Sequence, residues 1–300
     1  MFNHPIHEQL QKRILVIDGA MGTMLQAENL TYEDFGGEDL DGCNENLVLT
    51  RPDVLKKIHR AYLEAGADII CTNTFGGTPL VLNEYDLGHK ADAINTGAVK
   101  IAVEAAREFS TPEWPRFVAG AMGPTTKTLS VTGGISFEEL EENFYQQAKA
   151  LIEAGADLIL LETSQDMLNV KAGTIAVHRA FTELGKEIPV MISGTIEPMG
   201  TTLAGQSIEA FYISIEHIKP LSVGLNCATG PEFMTDHLRS LAELSTGYIS
   251  CYPNAGLPDE EGCYHETPDS LSKKLQGFAE KGWLNIVGGC CGTTPAHIAA

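Results

Sequence analysis

Residues 64–72 read EAGADIICT, and residues 153–162 read EAGADLILLE. Each stretch passes from a helix-favouring end, through a glycine and an acid, into an apolar run. Gly66 and Gly155 suit the left-handed residue that closes a helix. The runs after Asp68 and Asp157 are apolar without alternation, as strands are when both faces of a parallel sheet are covered. A weaker third copy, Glu280-Lys-Gly-Trp283, precedes the last such run. A helix, a turn and a buried parallel strand, repeated along one chain, point to an α/β fold.

Working outward, strand-like runs bounded by Gly, Pro or Asp occur at 14–18, 68–72, 117–121, 157–162, 190–194, 221–226, 248–252 and 284–288. Between them, residues 51–65 place Val54, Leu55, Ile58, Tyr62 and Ala65 on one helical stripe, and residues 137–154 do the same with Phe137, Leu140, Phe144, Ala148 and Leu151. Segments 91–109, 166–184, 207–217, 231–245 and 268–281 fill the remaining gaps. Pro52, Pro231 and Pro268 stand where a first-turn proline loses no hydrogen bond. Eight strands alternating with helices in a chain of 300 residues suit a closed (β/α)8 TIM barrel better than an open doubly wound sheet. No linker divides the chain, so residues 1–300 are expected to form one domain. Beyond the GGCCG turn at the end of the eighth run only TTPAHIAA remains. The last helix is therefore expected to be truncated, and the chain to be the amino-terminal part of something longer.

Lys and Arg total 20 against 40 Asp and Glu, a net charge of −20. That balance argues against nucleic acid or an anionic membrane as partner, since both require clustered cations. No apolar stretch approaches the roughly 18 residues of a membrane span. The amino terminus lacks the apolar segment of a secretory signal. Seven cysteines, an odd number, suggest reduced thiols and a cytoplasmic protein.

Barrel sites lie at the carboxyl ends of the strands. Those ends carry Asp18-Gly19, Thr72-Asn73-Thr74, Glu162-Thr163, Asn226-Cys227, Asn254 and Gly289-Cys290-Cys291-Gly292. Cys227, Cys290 and Cys291 together suggest a zinc site of three thiolates with an open fourth position. The glycines beside Cys290 and Cys291 allow two successive sulfurs to face one point. The competing reading, a small buried hydrophobe, is taken for Cys71 and Cys251; Cys43 and Cys263 fall in loops. A zinc with three sulfur donors suits activation of a substrate thiol for attack on carbon more than hydrolysis. Asp18 and Glu162 then suit a substrate ammonium, and free amides around Gly19–Met21 a substrate carboxylate. The alternative is that Asp18 caps a turn and Glu162 pairs with a neighbouring loop. GAMG lacks the G-x-G-x-x-G spacing of a dinucleotide turn. His4 and His7 lie in an expected frayed tail without H-E-x-x-H spacing, and Lys127 in an expected solvated loop.

RILVIDGAMGT (13–23), GADIICTNTF (66–75), VAGAMGPT (118–125), GADLILLET (155–163), GLNCATGP (224–231) and NIVGGCCGTTPAHI (285–298) follow one another in barrel order. Together they resemble the zinc-dependent homocysteine S-methyltransferase family. The resemblance implies Cys227, Cys290 and Cys291 as zinc ligands, with Asn254 as a displaceable fourth. It implies Asp18 and Glu162 on the ammonium of homocysteine, backbone around Gly19 on its carboxylate, and Asn226 beside the ligand sulfurs. GTIEPMGTTLAGQS (194–207) and YPNAGLP (252–258) look most like the homocysteine-binding module of cobalamin-dependent methionine synthases. On that likeness the methyl donor is methylcobalamin presented in trans, because no D-x-H-x-x-G cobalamin motif occurs here, and the partners are cobalamin- and folate-binding modules of one longer protein. A stand-alone methyltransferase using betaine or S-methylmethionine is the alternative. A non-catalytic barrel with a structural zinc is the third reading.

Overall fold

In a computed structural model that describes residues 4–300, the eight expected runs become eight parallel strands in one sheet. They are β1 (Leu15–Val16), β2 (Ile69–Cys71), β3 (Phe117–Met122), β4 (Leu158–Ser164), β5 (Val190–Gly194), β6 (Ser222–Asn226), β7 (Tyr248–Tyr252) and β8 (Ile286–Val287). Neighbours in sequence are neighbours in the sheet, and β1 pairs with β8. A bridge between Ile17 and Ile69 closes the ring. The helices after the strands are α1 (Pro52–Glu64), α2 (Ala91–Phe109), α3 (Phe137–Ala154), α4 (Met167–Leu184), α5 (Ile208–Ile215), α6 (Pro231–Leu244), α7 (Pro268–Ala279) and α8 (Pro295–Ala299). The fold is the (β/α)8 barrel, as a single domain. Among the described residues no helix is long and apolar enough to cross a membrane.

Strands β1 and β8 are shorter than the sequence predicts. Pairing continues past them as single hydrogen bonds, Leu15 N to Asn285 O at 2.9 Å and Ile17 N to Val287 O at 2.8 Å. The last helix is one turn, and beside it an apolar groove runs between α7 and the outer faces of Val16 and Val287.

The repeated turn has a physical reason for repeating. Gly66, Gly155 and Gly282 all take positive φ, at 108°, 102° and 73°. The residue that follows each turn then reaches back to the preceding strand. Asp68 accepts from Val16 N at 2.8 Å, Asp157 from Val118 N at 2.8 Å, and Asn285 from Ile249 N at 2.9 Å. These side chains therefore stitch neighbouring strands together at the barrel floor. Asp68 carries the most: fully buried, it also accepts both terminal nitrogens of Arg13 at 2.6 Å and the Trp114 indole N–H at 2.6 Å. Asp68→Ala removes the shared acceptor of Val16 N, the half-exposed Arg13 guanidinium and the Trp114 indole, and should cost about 2 kcal/mol. Urea unfolding measures that loss, and zinc content should not change; a midpoint equal to that of the unaltered protein would refute the clasp.

The expected frayed tail is instead a helix, Pro5–Leu10, capped by the His4 side chain. Ile6 and Leu10 are buried, and they join Leu15, Ile69, Phe117, Leu158, Met191 and Leu221 in the cluster that fills the barrel. Burial of two apolar side chains fixes this segment as the plug of the floor. Outside the strands, a second apolar layer lies between sheet and helices, for instance Ile159, Ile192 and Val223 against Phe144, Ala176 and Phe211.

Candidate metal and substrate site

In a strand, successive side chains face opposite sides of the sheet. At three places around the mouth the chain breaks this rule. After Asn226, Cys227 and Ala228 both take left-handed backbone, with φ of 60° and 52°. In β4 the register slips between Leu161 and Ser164, and Thr163 has φ 54°. Such non-glycine conformations cost of order 1 kcal/mol or more each and concentrate at functional sites. The slip is a bulge that re-aims Glu162 and Thr163 together. The third break is the turn at Cys290–Cys291, where Cys290 N donates to Pro253 O at 2.8 Å and Thr293 N to Cys290 O at 3.1 Å.

The consequence is convergence. The Sγ atoms of Cys227, Cys290 and Cys291 lie within 4.8 Å of one another, and those of Cys227 and Cys291 are 4.0 Å apart. Among the described residues no other group of three or more His, Cys, Asp or Glu is placed to hold a metal. The sulfurs also perturb one another. S–H donors on Cys227 and Cys290 hold the Cys291 thiol well below its usual range, while the same contacts drive Cys290 well above it.

Asn226, fully buried, is fixed on every side. Its Oδ1 accepts from Thr163 N at 3.0 Å and Ser193 Oγ at 2.6 Å; its Nδ2 donates to Thr163 Oγ1 at 2.8 Å and faces Cys290 Sγ at 4.0 Å. Asn254 is buried at the end of β7, and its Oδ1 accepts from Cys291 N at 3.1 Å. One lone pair of that oxygen thus pins the cysteine turn and the other is left over.

Asp18 is buried, and one of its oxygens accepts from Cys71 N at 2.8 Å. Burial pushes its pKa to about 7. Glu162 is pushed to about 8, by burial first and then by Asp18 and Cys227. No cation contributes to either shift, so among the described residues both carboxyls stand without a basic partner. Gly19 follows at a tight point of the mouth. A Cβ there would lie 2.7 Å from Thr293 Oγ1 and 2.8 Å from the Tyr62 hydroxyl, so no side chain fits.

The predicted residues are thus gathered at one end of the barrel. Lys127 lies in an exposed loop, as expected. Cys251 is core, bonded to Met234 Sδ at 3.8 Å, and Cys43 is also buried. Cys71, read as a core residue, instead borders the site through its amide to Asp18. Ser193, Tyr62 and Thr293 were given no site role by the sequence, and Thr163 was marked only as part of a strand end. Thr163 and Thr293 lie beside recognised motif residues, but Tyr62 reads as an ordinary member of a helical stripe.

The fold superposes on the crystal structures of the homocysteine methyltransferase MmuM from Escherichia coli. The TM-score is 0.81 for the oxidized form and 0.80 for the metallated form, at 24% identity over 99% of this chain and 98% of that one. Residues 15–300 match the family model described as homocysteine S-methyltransferase. That match spans nearly the whole barrel and all the converging residues, and the chain belongs to the homocysteine S-methyltransferase family.

Proposed function

We propose that this protein transfers a methyl group to the sulfur of homocysteine, giving methionine, with zinc as its resident metal. The observation that carries the reading is three convergent thiols beside one buried and one half-buried carboxyl, Asp18 and Glu162, that lack a cation. The sulfurs fit the metal: tetrahedral coordination with Zn–S of about 2.3 Å sets sulfurs about 3.8 Å apart, and Cys227 and Cys291 are separated by 4.0 Å. Cys227, Cys290 and Cys291 would hold the ion, with Asn254 Oδ1 as the displaceable oxygen donor. Bound zinc supplies the charge that lets a thiol of pKa near 8.5 lose its proton at neutral pH.

The chain's own residues do the rest. Asp18 and Glu162 accept from the substrate ammonium, and backbone amides around Gly19 donate to its carboxylate. Asn226 holds Cys290 and the β4 bulge in register, so the ammonium and thiol ends of one substrate are addressed at once. The C–S bond forms as the donor's bond to methyl breaks, the donor keeps that electron pair, and the thiol proton passes to solvent.

For the donor, the near end-to-end likeness to a homocysteine methyltransferase of similar length supports a small onium donor, S-methylmethionine or betaine. The second reading, methylcobalamin presented by another module, rests on the segments at 194–207 and 252–258. Supplying each donor to the zinc-loaded chain with homocysteine separates them. Methionine from S-methylmethionine or betaine supports the first, and methionine from methylcobalamin alone the second. Zinc-edge EXAFS tests the acceptor chemistry they share: the sulfur count should rise from three to four on adding homocysteine, and an unchanged shell would overturn it.

A further inference from the structure

The hydroxyl of Tyr252 has no place in the chemistry so far. Tyr252 is the last residue of β7 and lies in register with Asn226, so both side chains face the barrel interior. It is 2% exposed and belongs to the interior cluster against which Cys71 and Cys290 pack. Its hydroxyl makes no hydrogen bond of good geometry; the polar group near it is Ser193 Oγ, which donates to Asn226 Oδ1 at 2.6 Å and so has no proton to give it. An orphaned buried hydroxyl costs about 1–3 kcal/mol and calls for an explanation. Glu162, Ser193 and Asn226 stand on the three preceding strands. The first is the ionisable group that acts most strongly on Tyr252, ahead of Cys71 and Cys290.

A primary ammonium carries three N–H donors, and the reading above gives it two carboxyl acceptors. Asp18 has already committed one oxygen to the Cys71 amide. The geometry points to the Tyr252 hydroxyl as the third acceptor for the substrate ammonium, making with Asp18 and Glu162 a three-point site selective for an α-amino thiol. A hydroxyl both accepts and donates, so its proton stays available to a Glu162 oxygen. The orphaned group is then satisfied only when an amino thiol is bound. This rests on the proposed homocysteine function and adds to it a residue that selects the amino group.

Calorimetric titration of the zinc-loaded protein and its Tyr252→Phe variant tests this. The ligands are homocysteine and 4-mercaptobutanoate, which is homocysteine without its amino group. The phenyl ring preserves the packing, and the second ligand reports on any general damage to the site. Expected is a roughly tenfold rise in Kd for homocysteine in the variant, with Kd for 4-mercaptobutanoate within about twofold of its original value. An unchanged homocysteine Kd, or equal weakening of both ligands, overturns the role of Tyr252. If the unaltered protein binds homocysteine no more tightly than 4-mercaptobutanoate, there is no ammonium site, and the functional reading falls with the inference.

Discussion

Cys290→Ala should abolish zinc retention and methyl transfer while the barrel stays folded. Its sulfur meets those of Cys227 and Cys291 within one ligand sphere, and among the described residues no other Cys, His, Asp or Glu joins them. Two sulfurs and an amide oxygen are a poor substitute for three thiolates. Changes behind a metal ligand already cost 10–100-fold in affinity or activity, so loss of a ligand should cost more than roughly a hundredfold in both. The scaffold loses little, because the alanine keeps the Cβ and the turn is held by backbone bonds to Pro253 and Thr293. Metal analysis, methionine formation and a urea midpoint read the three effects separately. Cys251→Ala is the contrast, since that thiol is buried core against Met234. It should lower the urea midpoint and leave zinc bound. Full zinc content in Cys290→Ala would remove the cysteine trio from the mechanism.

Glu162→Gln should raise the KM for homocysteine roughly 10–100-fold, the worth of one charge-assisted hydrogen bond, and change kcat within about threefold. The amide keeps the size of the carboxyl but cannot take charge opposite an ammonium. Its signature is in the pH dependence. Both carboxyls are lifted by burial, Asp18 to about 7 and Glu162 to about 8, so in the free protein they are largely protonated at pH 6. The ammonium requires the ionised forms, and KM therefore falls as pH rises from 6 to 8. Glu162→Gln should flatten the upper part of that fall and leave the part due to Asp18. The linkage to folding runs the other way. A carboxyl whose folded pKa exceeds its unfolded value contributes stability that is fully present below about pH 4 and lost as pH rises through about 7 to 8. Substrate ammonium then replaces the missing protons, so homocysteine should protect against urea more at pH 8 than at pH 6. Loss of zinc with unchanged KM in Glu162→Gln would move this residue from the substrate to the metal.

The barrel was legible because its strands and turns are written locally. Continuous apolar runs marked all eight strands, and GAD turns at two helix ends marked their joins. The site was legible where chemistry concentrates in a few residue types at strand ends, as at Cys227 and Cys290–Cys291. What stayed hidden depends on the third dimension. The Thr163 bulge is a slip of one strand against another, and nothing in LLETS requires it. Tyr62 faces the mouth through a helix stripe that serves the core equally well. The plug at Pro5–Leu10 has too few residues for periodicity to show, and only the cavity waiting for Ile6 and Leu10 makes it a helix with a fixed place.

The residues proposed to handle the acceptor come from the ends of β1, β4, β6, β7 and β8. The connections after β3 and β5, residues 123–136 and 195–207, supply none of them. They border the same mouth, and Asn169 and Asp166 of the neighbouring segment hold the first of them through the amides of Leu129 and Ser130. Such a division makes the barrel modular in an evolutionary sense. Because none of the proposed acceptor residues lies in them, changes confined to those two loops should alter which methyl carrier is admitted while leaving the residues that prepare the sulfur in place.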